Sequence, residues 1–225
     1  MELKSVVPWG RNLAEYRDIF GLTDSDLQQS ILGCSDGPAS FNAELTQQGG
    51  KVVSIDPTYQ FDSCSLKKRI SEVYDEIMPQ LHKNQDKYVW KNISSVEELG
   101  RIRMDAMHTF ISDYEIGKKS GRYIHESLPE LSFKNQQFDL ALCSHYLFLY
   151  SEHVSLKEHI SSITELSRVA KEVRIYPLLS LNGEVSPYLD EVISSLNQSG
   201  LNTSLVNVNY EFQKGATQML VITSV

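Results

Sequence analysis

Residues 30–57 constrain this chain more than any other stretch. Ile31 and Leu32 form an apolar run that breaks into a tight turn holding Gly33 and Gly37; a helical segment follows to Gln48, and a second apolar run, Val52, Val53 and Ile55, ends at Asp56. The pattern predicts a strand, a loop, a helix and a second strand closed by an acid. Such a unit places a glycine turn and a helix N-terminus at the carboxyl end of the first strand. About 20 residues further on, a carboxylate stands where a ribose hydroxyl pair can be held. A nucleoside-type ligand is the first inference.

The turn also says which nucleoside suits it. A dinucleotide fingerprint has glycines at the first, third and sixth positions of the turn, so that backbone can approach a pyrophosphate. Here those positions hold Gly33, Ser35 and Pro38, and Asp36 adds a negative charge where an anion would sit. A pyrophosphate is disfavoured. S-adenosylmethionine uses the same geometry without phosphates, and its sulfonium and ammonium groups accept nearby carboxylates.

Leu32-Gly33-Cys34-Ser35-Asp36-Gly37, followed by Val53-Ser54-Ile55-Asp56, resembles the first two motifs of class I S-adenosylmethionine-dependent methyltransferases. That family usually reads Leu-Gly-x-Gly-x-Gly in the turn. Ser35 replaces its middle glycine, and Ile31 stands where many members carry an acid that contacts the methionine ammonium. A second match lies further along: Leu131-Ser132-Phe133 parallels the family's Leu-Pro-Phe, and Phe138-Asp139 opens an apolar strand ending at Ser144-His145-Tyr146. This register puts Ser127 where the family often has an adenine-contacting Asp, and Leu128 where a backbone amide meets the adenine. Ser144 and His145 fall beside the transferable methyl. The resemblance implies S-adenosyl-L-methionine as cofactor, bound by Gly33, Cys34, Ser35, Asp36, Gly37, Asp56, Ser127, Leu128, Ser144 and His145.

With 225 residues the chain can form one domain with a full core, expected over 1–225. Its formal charge of -8, with no basic run longer than Lys67-Lys68-Arg69, argues against tracking nucleic-acid phosphates. The N-terminus lacks an apolar leader core, and no stretch reaches the roughly 18 apolar residues of a membrane span, so a soluble, cytoplasmic protein is expected. Cys34, Cys64 and Cys143 are odd in number and widely spaced, pointing to neither a disulfide framework nor a zinc site. The histidines form no metal-ligand spacing, and no metal is expected.

Along the chain, Trp9, Leu13, Tyr16, Ile19 and Phe20 recur at helical spacing before Gly21. In the resembled family this segment often covers the pocket, making Trp9, Arg11 and Tyr16 candidate walls; the alternative is that the aromatics are the buried face of a helix. Residues 59–120 are too long for one crossover helix and read as a helical pair, one helix through Leu66 to Leu81 and another through Val96 to Tyr114. This insertion leaves the sheet beside the ligand crevice, where it can act as a lid or an acceptor-selecting wall; a dimer contact is the alternative. The remaining strands are expected at 122–125, 138–143, 173–176, 203–212 and 217–224, the last two as a close hairpin through Lys214-Gly215. The expected fold is an α/β, Rossmann-like, seven-stranded, mostly parallel sheet with helices on both faces, its last strand antiparallel, and a helical insertion between strands two and three.

Methyl transfer from a sulfonium demands positioning more than a dedicated catalytic group. Where the acceptor carries a proton, a base helps, and position nominates His145, with Tyr146 (also a pocket candidate) and His153 behind it. The alternative is a pocket-lining histidine with no proton role. Two functions stand open: a methyltransferase acting on an unidentified acceptor, expected to be a small molecule, or a non-catalytic S-adenosylmethionine- or adenosine-binding sensor or scaffold. The oligomeric state is not legible.

Overall fold

The computed structural model describes residues 7–224; the expected domain 1–225 reaches past it, and residues 1–6 and 225 lie outside the described residues. Seven strands form one sheet in the order β3-β2-β1-β4-β5-β7-β6. They are β1 (Ser30–Cys34), β2 (Lys51–Ile55), β3 (Tyr123–Ile124), β4 (Phe138–Ser144), β5 (Ala170–Tyr176), β6 (Leu201–Asn207) and β7 (Gln218–Ser224). Strands β1 to β5 pair in parallel, and β7 runs antiparallel to both β5 and β6. This strand order with its reversed seventh strand is the class I methyltransferase fold expected above.

The central strands are apolar almost throughout because both of their faces are covered. Ile31, Leu140 and Leu142 pack with α1 (Leu13–Phe20) and α2 (Phe41–Gln47) on one side. Leu32, Cys34, Ala141 and Cys143 face the other way, into the core shared with α5 (Leu156–Val169) and α6 (Leu189–Gln198). The period-two alternation of a strand therefore assigns each side chain its layer. Reciprocal capping boxes start α1, at Asn12 and Glu15, and α5, at Ser155 and Glu158.

Between β2 and β3 lie α3 (Ser63–Lys83) and α4 (Val96–Lys119), which pack on each other. Helix α4 also lies against α2 and β3, so it covers the sheet, while α3 is the outer member. Their shared faces make a small separate core of Val73, Ile77, Leu81, Ile93, Val96 and Leu99, with Trp9 and Phe212 against it.

Two expectations are corrected. Strand β6 stops at Asn207, not Phe212, so β6 and β7 do not form a close hairpin. Residues 208–217 instead pack at the carboxyl end of β5 and against residues 87–89: the Tyr176 hydroxyl donates to the Ala216 carbonyl, Tyr210 joins the α1 side of the core, and Phe212 stacks on Tyr88 at 4.7 Å. Strand β3 is only Tyr123–Ile124, shorter than the expected 122–125, since it is a sheet edge and pairs with β2 alone.

The chain reverses direction across the sheet between β1 and β4. In open α/β sheets ligands bind in the crevice beyond the carboxyl ends of the strands at such a switch point.

Candidate active site

Beyond β1 and β4 opens a cavity of about 290 Å³, close to the lower limit of the ~300–1,000 Å³ of small-molecule sites. It is lined by Ser35, Asp36 and Gly37 from the turn after β1, Asp56 from the end of β2, Ser127 and Leu128 after β3, and Ser144, His145 and Tyr146 after β4. Trp9, Arg11 and Tyr16 complete the wall from the N-terminal side. The sequence candidates thus converge in one place, with three exceptions, the first of them His153, which does not line the cavity. Gly33 and Cys34 are not on the wall: Cys34 is sealed beneath the turn, paired in register with Cys143, because the strand's alternation points it into the α5 side of the core.

Gly33 matters for a different reason. A β-carbon at this position would lie 1.9 Å from Oδ2 of Asp36, so glycine here makes room for a carboxylate folded back over the strand end. Asp36 accepts from the Tyr16 hydroxyl at 2.7 Å and the Ser54 hydroxyl at 2.6 Å. Burial lifts its carboxyl to about 6, with Asp56 adding to the rise against those two hydrogen bonds. The ring of Tyr16 stacks on Phe41 at 4.3 Å, so Tyr16 is both the buried helix face and, through its hydroxyl, a support of the cavity floor.

Ser35 and His145 both adopt left-handed backbone, φ 56° and 53°. That conformation costs a non-glycine residue about 1–2 kcal/mol, and the middle glycine of the usual turn would adopt it freely. The two sit at the ends of adjacent strands β1 and β4, held by Ser35 N–H donating to the Ile55 carbonyl and His145 N–H donating to the Tyr176 carbonyl. Strain of this kind concentrates at ligand sites.

The turn's amides are already occupied. Gly37 N–H donates to Asp56 Oδ2 at 2.9 Å, Ala39 N–H to the Asp36 carbonyl, and Ser40 N–H to the Arg11 carbonyl. Little remains to cradle a pyrophosphate, whereas two acidic residues, Asp36 and Asp56, line the cavity. Asp56 also accepts from Thr58 N–H at 2.8 Å, and burial raises its carboxyl. The Thr58 hydroxyl donates to Asp56 Oδ1 as well, at 2.5 Å; a carboxylate has about four lone-pair sites, so capacity for one further hydroxyl persists.

His145 Nδ1 lies 2.8 Å from Ser144 Oγ. Burial, then the positive charges of Arg11 and Arg103, hold its imidazole well below the ordinary range, so it is neutral at physiological pH. Tyr146 moves the opposite way, pushed up to about 12 by burial. Residues 7–11 cross the turn closely enough that a β-carbon on Gly10 would stand 2.1 Å from the Pro38 carbonyl.

Sequence reasoning missed Val7, Pro8, Ala39, Pro57 and Thr58 on this wall. Asp56-Pro57-Thr58 carried a signal, since Asp followed by Pro caps a helical turn; here that turn is Pro57–Gln60. Arg103, buried behind this site as one of two arginines on α4, carried none. Among the described residues no three His, Cys, Asp or Glu are grouped to hold a metal ion, and no helix is long and apolar enough to cross a membrane.

No family model matches the sequence. An uncharacterised protein of Methanocaldococcus jannaschii is 31% identical over 223 residues, covering 99% of this chain and 98% of that one. Among solved structures, a protein from Pyrococcus horikoshii is similar with a TM-score of 0.50 at 13% identity, over 98% of this chain and 97% of its own. A SAM-dependent methyltransferase from Aquifex aeolicus gives a TM-score of 0.46 at 14% identity, over 95% and 89%.

Proposed function

We propose, from the premise that this chain belongs to one family with the uncharacterised Methanocaldococcus jannaschii protein and has the class I methyltransferase fold, that it transfers a methyl group from S-adenosylmethionine to a small molecule. The observation carrying this reading is the turn after β1. Its amides are spent within the protein while Asp36 and Asp56 line the cavity, which suits a cationic, phosphate-free adenosyl compound.

When bound, S-adenosylmethionine supplies a methyl group on a sulfonium, a good and neutral leaving group. Asp56 would accept from a ribose hydroxyl, Ser127 and Leu128 would take the adenine edge, and Asp36 would offset the positive charge. Residues 7–11 exclude water by closing over the turn. His145, neutral and at the carboxyl end of β4, is the candidate base: in the tautomer whose Nδ1–H donates to Ser144 Oγ, Nε2 would take the acceptor's proton. The insertion's helices would select the acceptor.

Calorimetry against S-adenosylmethionine, S-adenosylhomocysteine and NAD tests this. Binding of the first two, with the demethylated product bound tightly, is expected for the enzyme. Heat from NAD alone overturns the proposal. Asp56→Ala should weaken donor binding at least tenfold; an unchanged affinity removes the ribose assignment. The non-catalytic alternative rests on Ile31 and Ser35, and Ser35 is answered by its left-handed backbone, which reproduces the glycine it replaces.

A further inference from the structure

A second cavity of about 110 Å³ adjoins the first, with Trp9, Arg11 and His145 on the walls of both. Much of its surface is apolar or aromatic, supplied by Ile77 and Leu81 of α3, by Leu149 and Leu181, and by the stacked pair Tyr88 and Phe212. None of the described residues lining it is Asp or Glu, while two, Arg11 and Arg103, are arginines.

The charges near it do not cancel. Arg103, 1% exposed, pairs with Glu15, whose other oxygen accepts from the Tyr210 hydroxyl at 3.1 Å. Arg11 has no ion pair among the described residues; one Nη donates to the Trp9 carbonyl at 2.9 Å. One carboxylate thus faces two guanidinium groups. The Nε of each arginine is also buried without an acceptor, and an unmade hydrogen bond of this sort costs ~1–3 kcal/mol. An anion entering here would supply the missing charge.

We propose, resting on the methyl-transfer reading above, that this second cavity is the acceptor compartment and that the acceptor is a compact single-ring monocarboxylic acid, its carboxylate held by Arg11 and Arg103. The apolar walls take the ring; a cavity of ~150 Å³ accommodates benzene, so at about 110 Å³ the second cavity holds less than the whole molecule and the acceptor reaches across the shared wall at His145. A ring hydroxyl or amine is the nucleophile. Its oxygen or nitrogen forms a bond to the methyl carbon, the carbon–sulfur bond breaks with its electron pair left on sulfur, and the proton passes to His145. His145 stands on the shared wall, where that proton is released.

Calorimetry with 4-hydroxybenzoate, the neutral 4-hydroxybenzamide and phenyl phosphate, each with and without S-adenosylmethionine, tests this. The acid should bind at least tenfold more tightly than the amide. Arg11→Gln should erase that preference. Leu181→Trp, which fills the second cavity from outside the first, should abolish binding of the acid while leaving the affinity for S-adenosylmethionine within about threefold. Equal affinities for acid and amide, no heat from the acid with the donor present, or tighter binding of phenyl phosphate would each overturn the assignment. If the acid is preferred but S-adenosylmethionine does not bind, the donor reading fails and the acceptor role with it, leaving only a carboxylate site at Arg11 and Arg103. If S-adenosylmethionine binds and acid and amide are not distinguished, only this inference fails.

Discussion

The Tyr16 hydroxyl donates to Oδ1 of Asp36 at 2.7 Å in the protein interior, so one buried hydrogen bond ties the N-terminal helix to the turn after β1. Tyr16→Phe keeps the ring stacked on Phe41 and removes only this donor. Urea unfolding should show a loss of about 1–3 kcal/mol, and donor affinity should fall as the turn loosens. A variant with wild-type midpoint and affinity would show that the hydroxyl holds nothing.

The Asp36 carboxyl, lifted to about 6 from an ordinary 3.8, makes stability depend on pH. The folded state binds this proton more tightly than the unfolded chain does. Below the unfolded value both states are protonated and nothing is lost; as pH rises through about 6 the folded state must ionise a buried group, at a cost of ~3 kcal/mol. Asp36→Asn should therefore gain stability relative to wild type between pH 4 and 7. Equilibrium unfolding at both ends of that window measures the difference, and a constant difference would refute the assignment.

The same ionisation should favour a cation in the cavity. Affinity for S-adenosylmethionine is expected to rise from pH 5 to 7 more steeply than affinity for S-adenosylhomocysteine, whose sulfur is uncharged, as read by calorimetry in matched buffers. Parallel profiles would mean that Asp36 does not sense the sulfonium.

Gly33→Ala places a methyl group where the Asp36 carboxylate lies. The carboxylate must swing out, giving up both Tyr16 and Ser54, so donor binding should drop at least tenfold. The double change Gly33→Ala with Asp36→Gly removes the clash and should regain part of the stability lost by Gly33→Ala alone, as judged by thermal unfolding. No recovery would place the clash elsewhere.

Arg103 and Glu15 form a buried pair joining α4 to α1. Glu15→Gln leaves a guanidinium uncompensated and should cost about 3–5 kcal/mol in urea unfolding. Combining it with Arg103→Met should cost less than Glu15→Gln alone; strictly additive losses would show that the two are not coupled.

How much of this was legible in the sequence depends on the range of the interaction concerned. The order of strands and helices, the turn at Gly33 to Gly37 and the acid at Asp56 follow from local periodicity and from glycine and proline punctuation, which act over a few residues. The resemblance in two short motifs brought Ser127, Leu128, Ser144 and His145 to the same crevice. Cys34 was misplaced because motif position does not say which face of a strand a side chain takes. The close hairpin was misjudged because the fate of Tyr210 and Phe212 depends on partners far away in the chain, the α1 side of the core for one and Tyr88 for the other.

By itself the sequence determined the layered α/β order and the adenosyl-type turn, since backbone preference and hydrophobic alternation are written residue by residue. Only the tertiary structure decided where charge would sit. It folded Asp36 inward over Gly33, brought Arg11 and Arg103 to one cavity against a single carboxylate, and made His145 neutral by burial. Burial and charge balance are properties of groups meeting in space, and no local pattern in a chain can specify them.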